Sequence, residues 1–181
     1  NINELEEKGE TVHSYYINSE DEFTENWNNL NTTKNDSIII NMHGTTTSVT
    51  NMNIINMDKK TANYLYLLSC NAGDQKASIC FAERIFNKNS ISCLIACDGT
   101  NYRHIKSETK KKSWDFFGWF DKTKKYVELS VARNKVEIGP KNFTMGYVAY
   151  TKDSSGKTKV DSIGEKFKGI SKLIKAAHKY N

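Results

Sequence analysis

Two short blocks carry the residue types that acyl-transfer chemistry needs. Residues 37–44 read SIIINMHG and residues 64–73 read YLYLLSCNAG. In each, an apolar run of the kind found in strands buried on both faces gives way to polar residues. His43 follows the first run and Cys70 the second. If the two strands are parallel neighbours, both residues stand beyond the carboxyl edge of the sheet, where catalytic groups of α/β proteins gather. A thiol facing an imidazole is a nucleophile with its base. Gly44 permits a sharp turn and lets its N–H approach a substrate oxygen. With the N–H of Cys70 it would form an oxyanion hole, in which each donor is typically worth about 3 kcal/mol. A helix expected over 75–87 would set its N-terminal dipole behind the thiol. The other histidines compete poorly: His13 falls inside a first strand, His104 in a charged loop and His178 on the last helix.

The elements that must position this pair follow from periodicity. Residues 11–17 alternate as a strand. Residues 19–30 form an amphipathic helix, with Ser19 as N-cap and Phe23, Trp27 and Leu30 on one face. Strands are expected at 37–42, 64–69 and 91–97, with a helical turn near 58–63 and the 75–87 helix between. This alternation predicts an α/β fold with a mostly parallel central sheet and helices on both faces. Residues 102–125 are basic and aromatic and read as a flap anchored by Trp114, Phe116, Phe117, Trp119 and Phe120. Strands are expected at 126–131, 134–138 and 145–151, and a closing helix over 161–180. The whole chain, 1–181, reads as one domain: a core over about 11–100, a flap and β-rich extension over about 101–160, and the terminal helix.

The chain has a formal charge of +5 and four cysteines. Its lysine runs at 110–112 and 122–125 read as solvated surface, with an anion site as the alternative. Nothing has the spacing of a zinc finger or the aromatic signature of an RNA-binding sheet, so no nucleic-acid partner, metal or cofactor is expected. No apolar run is long enough to span a bilayer. Cys80, Cys93 and Cys97 read as buried small hydrophobes, and a disulfide scaffold is not expected, which fits a reducing compartment or a protein that needs a free thiol. The first residue is Asn1 rather than Met, so the chain is expected to be a piece of something larger.

The segments IIINMHG and LYLLSCNAG resemble the His-Gly and Cys-x-x-Gly blocks of the caspase-like (clan CD) cysteine peptidases, closest in appearance to the separase and CHAT branch and to toxin self-processing domains. FAERIF and SCLIACDG resemble the helix and acid-tipped strand that follow in that branch, and the similarity covers residues 37–100. The resemblance implies a three-layer caspase-like fold, His43 as general base or acid and Cys70 as nucleophile. It also implies that Asp98, with Asp74 as the weaker candidate, lines a pocket favouring Arg or Lys before the scissile bond. It further implies a bacterial toxin or effector acting on a protein substrate, or on its own parent chain, with a polyanionic activator as a conceivable partner. Such an effector would be secreted or delivered into a reducing host or target-cell cytosol; the alternative location is cytoplasmic. The His-to-Cys interval is short for the family and leaves little room for an intervening helix. Two rivals stand beside this reading: a non-catalytic recognition module displaying the aromatic flap, and an acyltransferase or hydrolase using the same pair.

Overall fold

A computed structural model describes residues 2–110, 122–132 and 146–180. The flap aromatics Trp114–Phe120 and the strand expected at 134–138 lie outside the described residues. The expected strands form: β1 (Ser37–Ile40), β2 (Thr61–Leu67) and β3 (Ser90–Asp98) pair in parallel in that order. β2 and β3 are central, but β1 is an edge strand that leaves Ile39 exposed, so the 37–42 run is not buried on both faces. β4 (Thr100–Lys110) and β5 (Lys122–Ala132) leave this sheet. β6 (Gly146–Lys152) returns antiparallel to β3, and β7 (Thr158–Gly164) pairs antiparallel to β6. The central sheet is therefore mixed, with order β1-β2-β3-β6-β7. A second, antiparallel sheet has the order β4-β5-β8, where β8 is Lys166–Lys168.

Side-chain alternation sends each strand's residues to two cores. On one face Leu65, Leu67, Leu94, Ala96, Val148 and Tyr150 meet α2 (Glu20–Asn29) through Phe23 and Trp27, and α3 (Phe81–Lys88) through Phe81, Ile85 and Phe86. On the other, Tyr66, Cys93, Ile95, Cys97 and Tyr147 meet Leu129 and Val131 of the second sheet and Ile170, Leu173 and Ala177 of α4 (Ile170–Ala177). Helices thus cover both faces, as expected, but the second face is shared with a β-sheet. A short N-terminal helix, α1 (Ile2–Glu6), packs Leu5 against that side.

Several expectations are corrected. Residues 11–17 form no strand and join no ladder. No helical turn forms at 58–63, because β2 already begins at Thr61. The link between β1 and β2 contains no helix, and Val49, Met52 and Met57 from its turns fill that part of the core instead. The 102–125 stretch begins and ends in the long β4–β5 ladder rather than in irregular chain. The tail first forms β7 and β8, and only then α4. Gly164 (φ 146°) and Gly169 (φ 88°) break what otherwise reads as one helical stripe.

Candidate active site

β1 and β2 are adjacent and parallel, so the segments leaving their carboxyl ends emerge side by side. The pairing continues past the ladder through Leu68 N–H donating to Ile40 O at 2.8 Å. Gly44 then packs against the other segment: a Cβ placed on it would stand 2.8 Å from Ser69 Cβ and 3.1 Å from Cys70 O. The two motifs are therefore brought together, and only glycine fits at that contact. A tight hairpin follows, with Thr50 N–H donating to His43 O and Thr45 N–H to Ser48 O, each at 2.8 Å. The His43 side chain is exposed and Cys70 is half-buried. Among the described residues no hydrogen bond joins the imidazole to the thiol. The backbone N–H groups of Gly44 and Cys70 likewise have no partner there, which leaves both donors available to a substrate oxygen.

The turn after Cys70 explains how its sulfur is presented. Asn71 adopts φ 54°, a left-handed conformation that asparagine tolerates better than most residues. The chain then folds back over the end of β3, with Asn71 N–H donating to Gly99 O at 2.8 Å and Gly73 N–H to Cys97 O at 3.0 Å. Alternation along β2 puts Cys70 on the same side as Leu68, toward the second sheet. Its neighbours there are Cys97, Arg103 and Tyr147. The backbone N–H of Asn101 donates to Cys70 Sγ at 3.4 Å. Sequence reasoning missed Asn101, Arg103 and Tyr147. The one signal for the first two is their place just past the end of the third buried strand.

The expected helix support is corrected. Residues 70–79 form turns and bends, and α3 begins at Phe81 with Cys80 as its N-cap. Its leading amides are engaged by carbonyls: Phe81 N–H by Thr46 O and Ala82 N–H by Ala72 O. The dipole of α3 therefore does not sit behind Cys70.

Asp98 is only 1 % exposed. It closes β3 opposite Gly146, on the face of Leu94 and Ala96 rather than that of Cys97. It is thus on the α3 side of the sheet, while the thiol is on the other. Its carboxylate is enclosed, so a substrate side chain reaches it only if the surrounding structure opens. Asp74 is half-buried in the 70–79 turns, its Oδ1 accepting from Lys76 N–H at 2.9 Å. The charged side chain that does stand near the thiol is Arg103, which also hydrogen-bonds Asn41, two residues before His43. A cavity of about 480 Å³ lies between the 12–17 segment and β1. Arg103, Asn41, Met42 and Leu68 are part of its lining, whereas His43 and Cys70 are not.

All four cysteines are free. Burial pushes the Cys93 thiol up to about 12, and Cys97 further still. Among the described residues no cluster of three or more His, Cys, Asp or Glu could hold a metal ion, and no helix is long and apolar enough to cross a membrane. Comparison with protein-family models, with curated proteins and with solved structures returns no match.

Proposed function

We propose that this chain is a cysteine endopeptidase in which His43 is the base and Cys70 the nucleophile. The observation that carries this reading is the contact of Gly44 with Ser69 and the Cys70 carbonyl. It joins the ends of two parallel strands and leaves the Gly44 and Cys70 N–H groups unengaged among the described residues. In the reaction His43 takes the proton of Cys70. The thiolate attacks the scissile carbonyl, and the oxyanion forms between the two N–H groups. His43 then returns the proton to the leaving amine, and water releases the acyl group from the sulfur. A preference for Arg or Lys next to the scissile bond rests on Asp98, and requires that its enclosed carboxylate be uncovered by substrate. The reading extends to self-processing within a longer parent chain and to action as a toxin or effector, with a polyanion as activator. Peptide substrates with Arg, Lys, Asp and Ala at the cleaved position, together with a polypeptide carrying this chain's flanking sequence, test it. Cleavage that vanishes in Cys70→Ala and in His43→Ala supports the proposal; cleavage that persists in either variant overturns it.

One observation favours the second reading, a non-catalytic recognition module: the exposed imidazole makes no hydrogen bond to the sulfur. Catalytic contacts are often long before substrate arrives, and the peptidase reading requires the imidazole to close on the sulfur when it does. Specific binding of a protein partner by Cys70→Ala, at the affinity of the unmodified chain and with no turnover in either, would favour the module.

A further inference from the structure

The sulfur of Cys70 is held by a residue outside both motifs. Asn101 is the second residue of β4, just past Gly99, where the chain leaves the central sheet at φ 137°. A Cβ at Gly99 would stand 3.0 Å from Ala132 O and from Val131 Cγ1, so the bend passes tightly under β5. Asn101 then bridges three parts of the fold. Its side-chain Nδ2 donates to Leu68 O at 3.0 Å, just past β2. Its Oδ1 accepts from Tyr147 Oη on β6 at 2.8 Å. Its backbone N–H donates to Cys70 Sγ at 3.4 Å, and its carbonyl lies 4.0 Å from the same sulfur, where it can accept from the thiol. One residue thus has an acceptor for the S–H form and a donor for the thiolate.

We propose that Asn101 is a positioning residue for the Cys70 nucleophile: the Leu68 O–Asn101–Tyr147 Oη clamp fixes a backbone N–H on the sulfur and favours the thiolate. The clamp is well anchored. Tyr147 is fully buried and packs edge-on against Phe167 with ring centroids 5.6 Å apart. Burial also keeps its phenol protonated, hence a donor, through the physiological range. The other titratable or charged groups around the sulfur are Arg103 on β4 and Cys97 on β3. Arg103 is a cation near the same sulfur, while Cys97 is buried and neutral. The clamp supplies what a helix N-terminus supplies to many reactive cysteines.

This inference rests on Cys70 being the nucleophile, but its test does not require turnover. The second-order rate of iodoacetamide alkylation at Cys70, read by peptide mapping from pH 5 to 10, is compared for the unmodified chain, Asn101→Ala and Tyr147→Phe. A hydrogen bond to a charged group is typically worth about a factor of ten or more. Asn101→Ala keeps the backbone N–H but releases it from the clamp, so it is expected to forfeit part of that factor: alkylation at pH 7 slows about three- to tenfold and the pH profile moves upward, with little change on the alkaline plateau. Tyr147→Phe, which keeps the ring packing, should slow it about threefold. Coincident profiles in folded Asn101→Ala, or in Tyr147→Phe should the first variant not fold, would overturn the proposal. Loss of peptide cleavage with an unchanged profile would also overturn it. A dependence on Asn101 in a chain that cleaves nothing would sustain the clamp and defeat the peptidase reading.

Discussion

The two faces of the central sheet each carry a cysteine beside a tyrosine, and the pairs are built oppositely. On the α3 face, Cys80 is buried at the N-cap of a helix, the place where a thiolate would gain from the dipole. Its sulfur instead lies 3.4 Å from the Ala72 carbonyl and 3.2 Å from Tyr150 Oη, and the helix's leading amides are taken by other carbonyls. On the other face, Cys70 is half-exposed, receives the Asn101 N–H, and has Arg103 nearby. Helix position alone points to Cys80; access together with donors points to Cys70, the sulfur proposed as nucleophile. Tyr150 serves to hold the turn, its hydroxyl donating to Gly73 O at 3.1 Å. Tyr147 holds the donor residue.

The sharpest break in this comparison is substitution of each sulfur. Cys70→Ala is expected to lower kcat/KM by about 10⁴-fold or more, as removal of a covalent nucleophile does. Cys80→Ala should leave kcat/KM within about twofold and cost only the modest stability of a small buried group. Comparable losses from the two would erase the distinction between the faces.

Alkaline pH comes next. Burial raises the phenols of Tyr66, Tyr147 and Tyr150 well above their ordinary value. The folded chain keeps these protons where the unfolded chain loses them. Stability is therefore insensitive to these groups below about pH 9 and falls as pH rises past about 10, by up to about 1.4 kcal/mol per pH unit for each. Cys93, pushed up to about 12, adds to the fall from about pH 8.5 upward. Denaturant midpoints between pH 7 and 11 measure this; a flat profile would contradict the burial of these rings on both faces.

Two glycines separate catalytic from structural contact. Gly44→Ala drives a Cβ into Ser69 and the Cys70 carbonyl, and is expected to lower kcat/KM about 100-fold. Gly73→Ala drives a Cβ into Ala96, at 2.8 Å, and into Val148. It is expected to cost about 1–3 kcal/mol of stability, with a smaller loss of activity. The smallest effect belongs to Tyr150→Phe, which removes the hydroxyl from Gly73 O and should cost about 1 kcal/mol in a urea titration.

Much of the site's scaffold was legible because its signals are local. The YLYLL and ISCLIAC runs read as buried strands and are, SIII reads as one but becomes an edge strand with Ile39 exposed, and Ser19 caps α2 by accepting from Glu22 N–H at 3.1 Å. The adjacency of His43–Gly44 and Ser69–Cys70 followed from two such strands being neighbours. What sequence hid was non-local or weakly patterned. The strand TKVDSIG is a polar edge strand, only half-buried, whose Ile163 also fits a helical stripe with Phe167 and Ile170. The turns at 70–79 delay α3, although Gln75–Ile79 contains no strong helix breaker. Asn101 gives no periodic signal at all. Its role arises from three contacts with sequence separations of 31, 33 and 46 residues.

The most direct measurement of the central claim is covalent labelling with a peptidyl chloromethyl ketone, followed by mapping of the adduct. The account predicts one adduct, on Cys70 Sγ, with Cys80, Cys93 and Cys97 unmodified in the folded chain, and its loss in His43→Ala. An adduct on another cysteine, or equal labelling of Cys70 without His43, would contradict it.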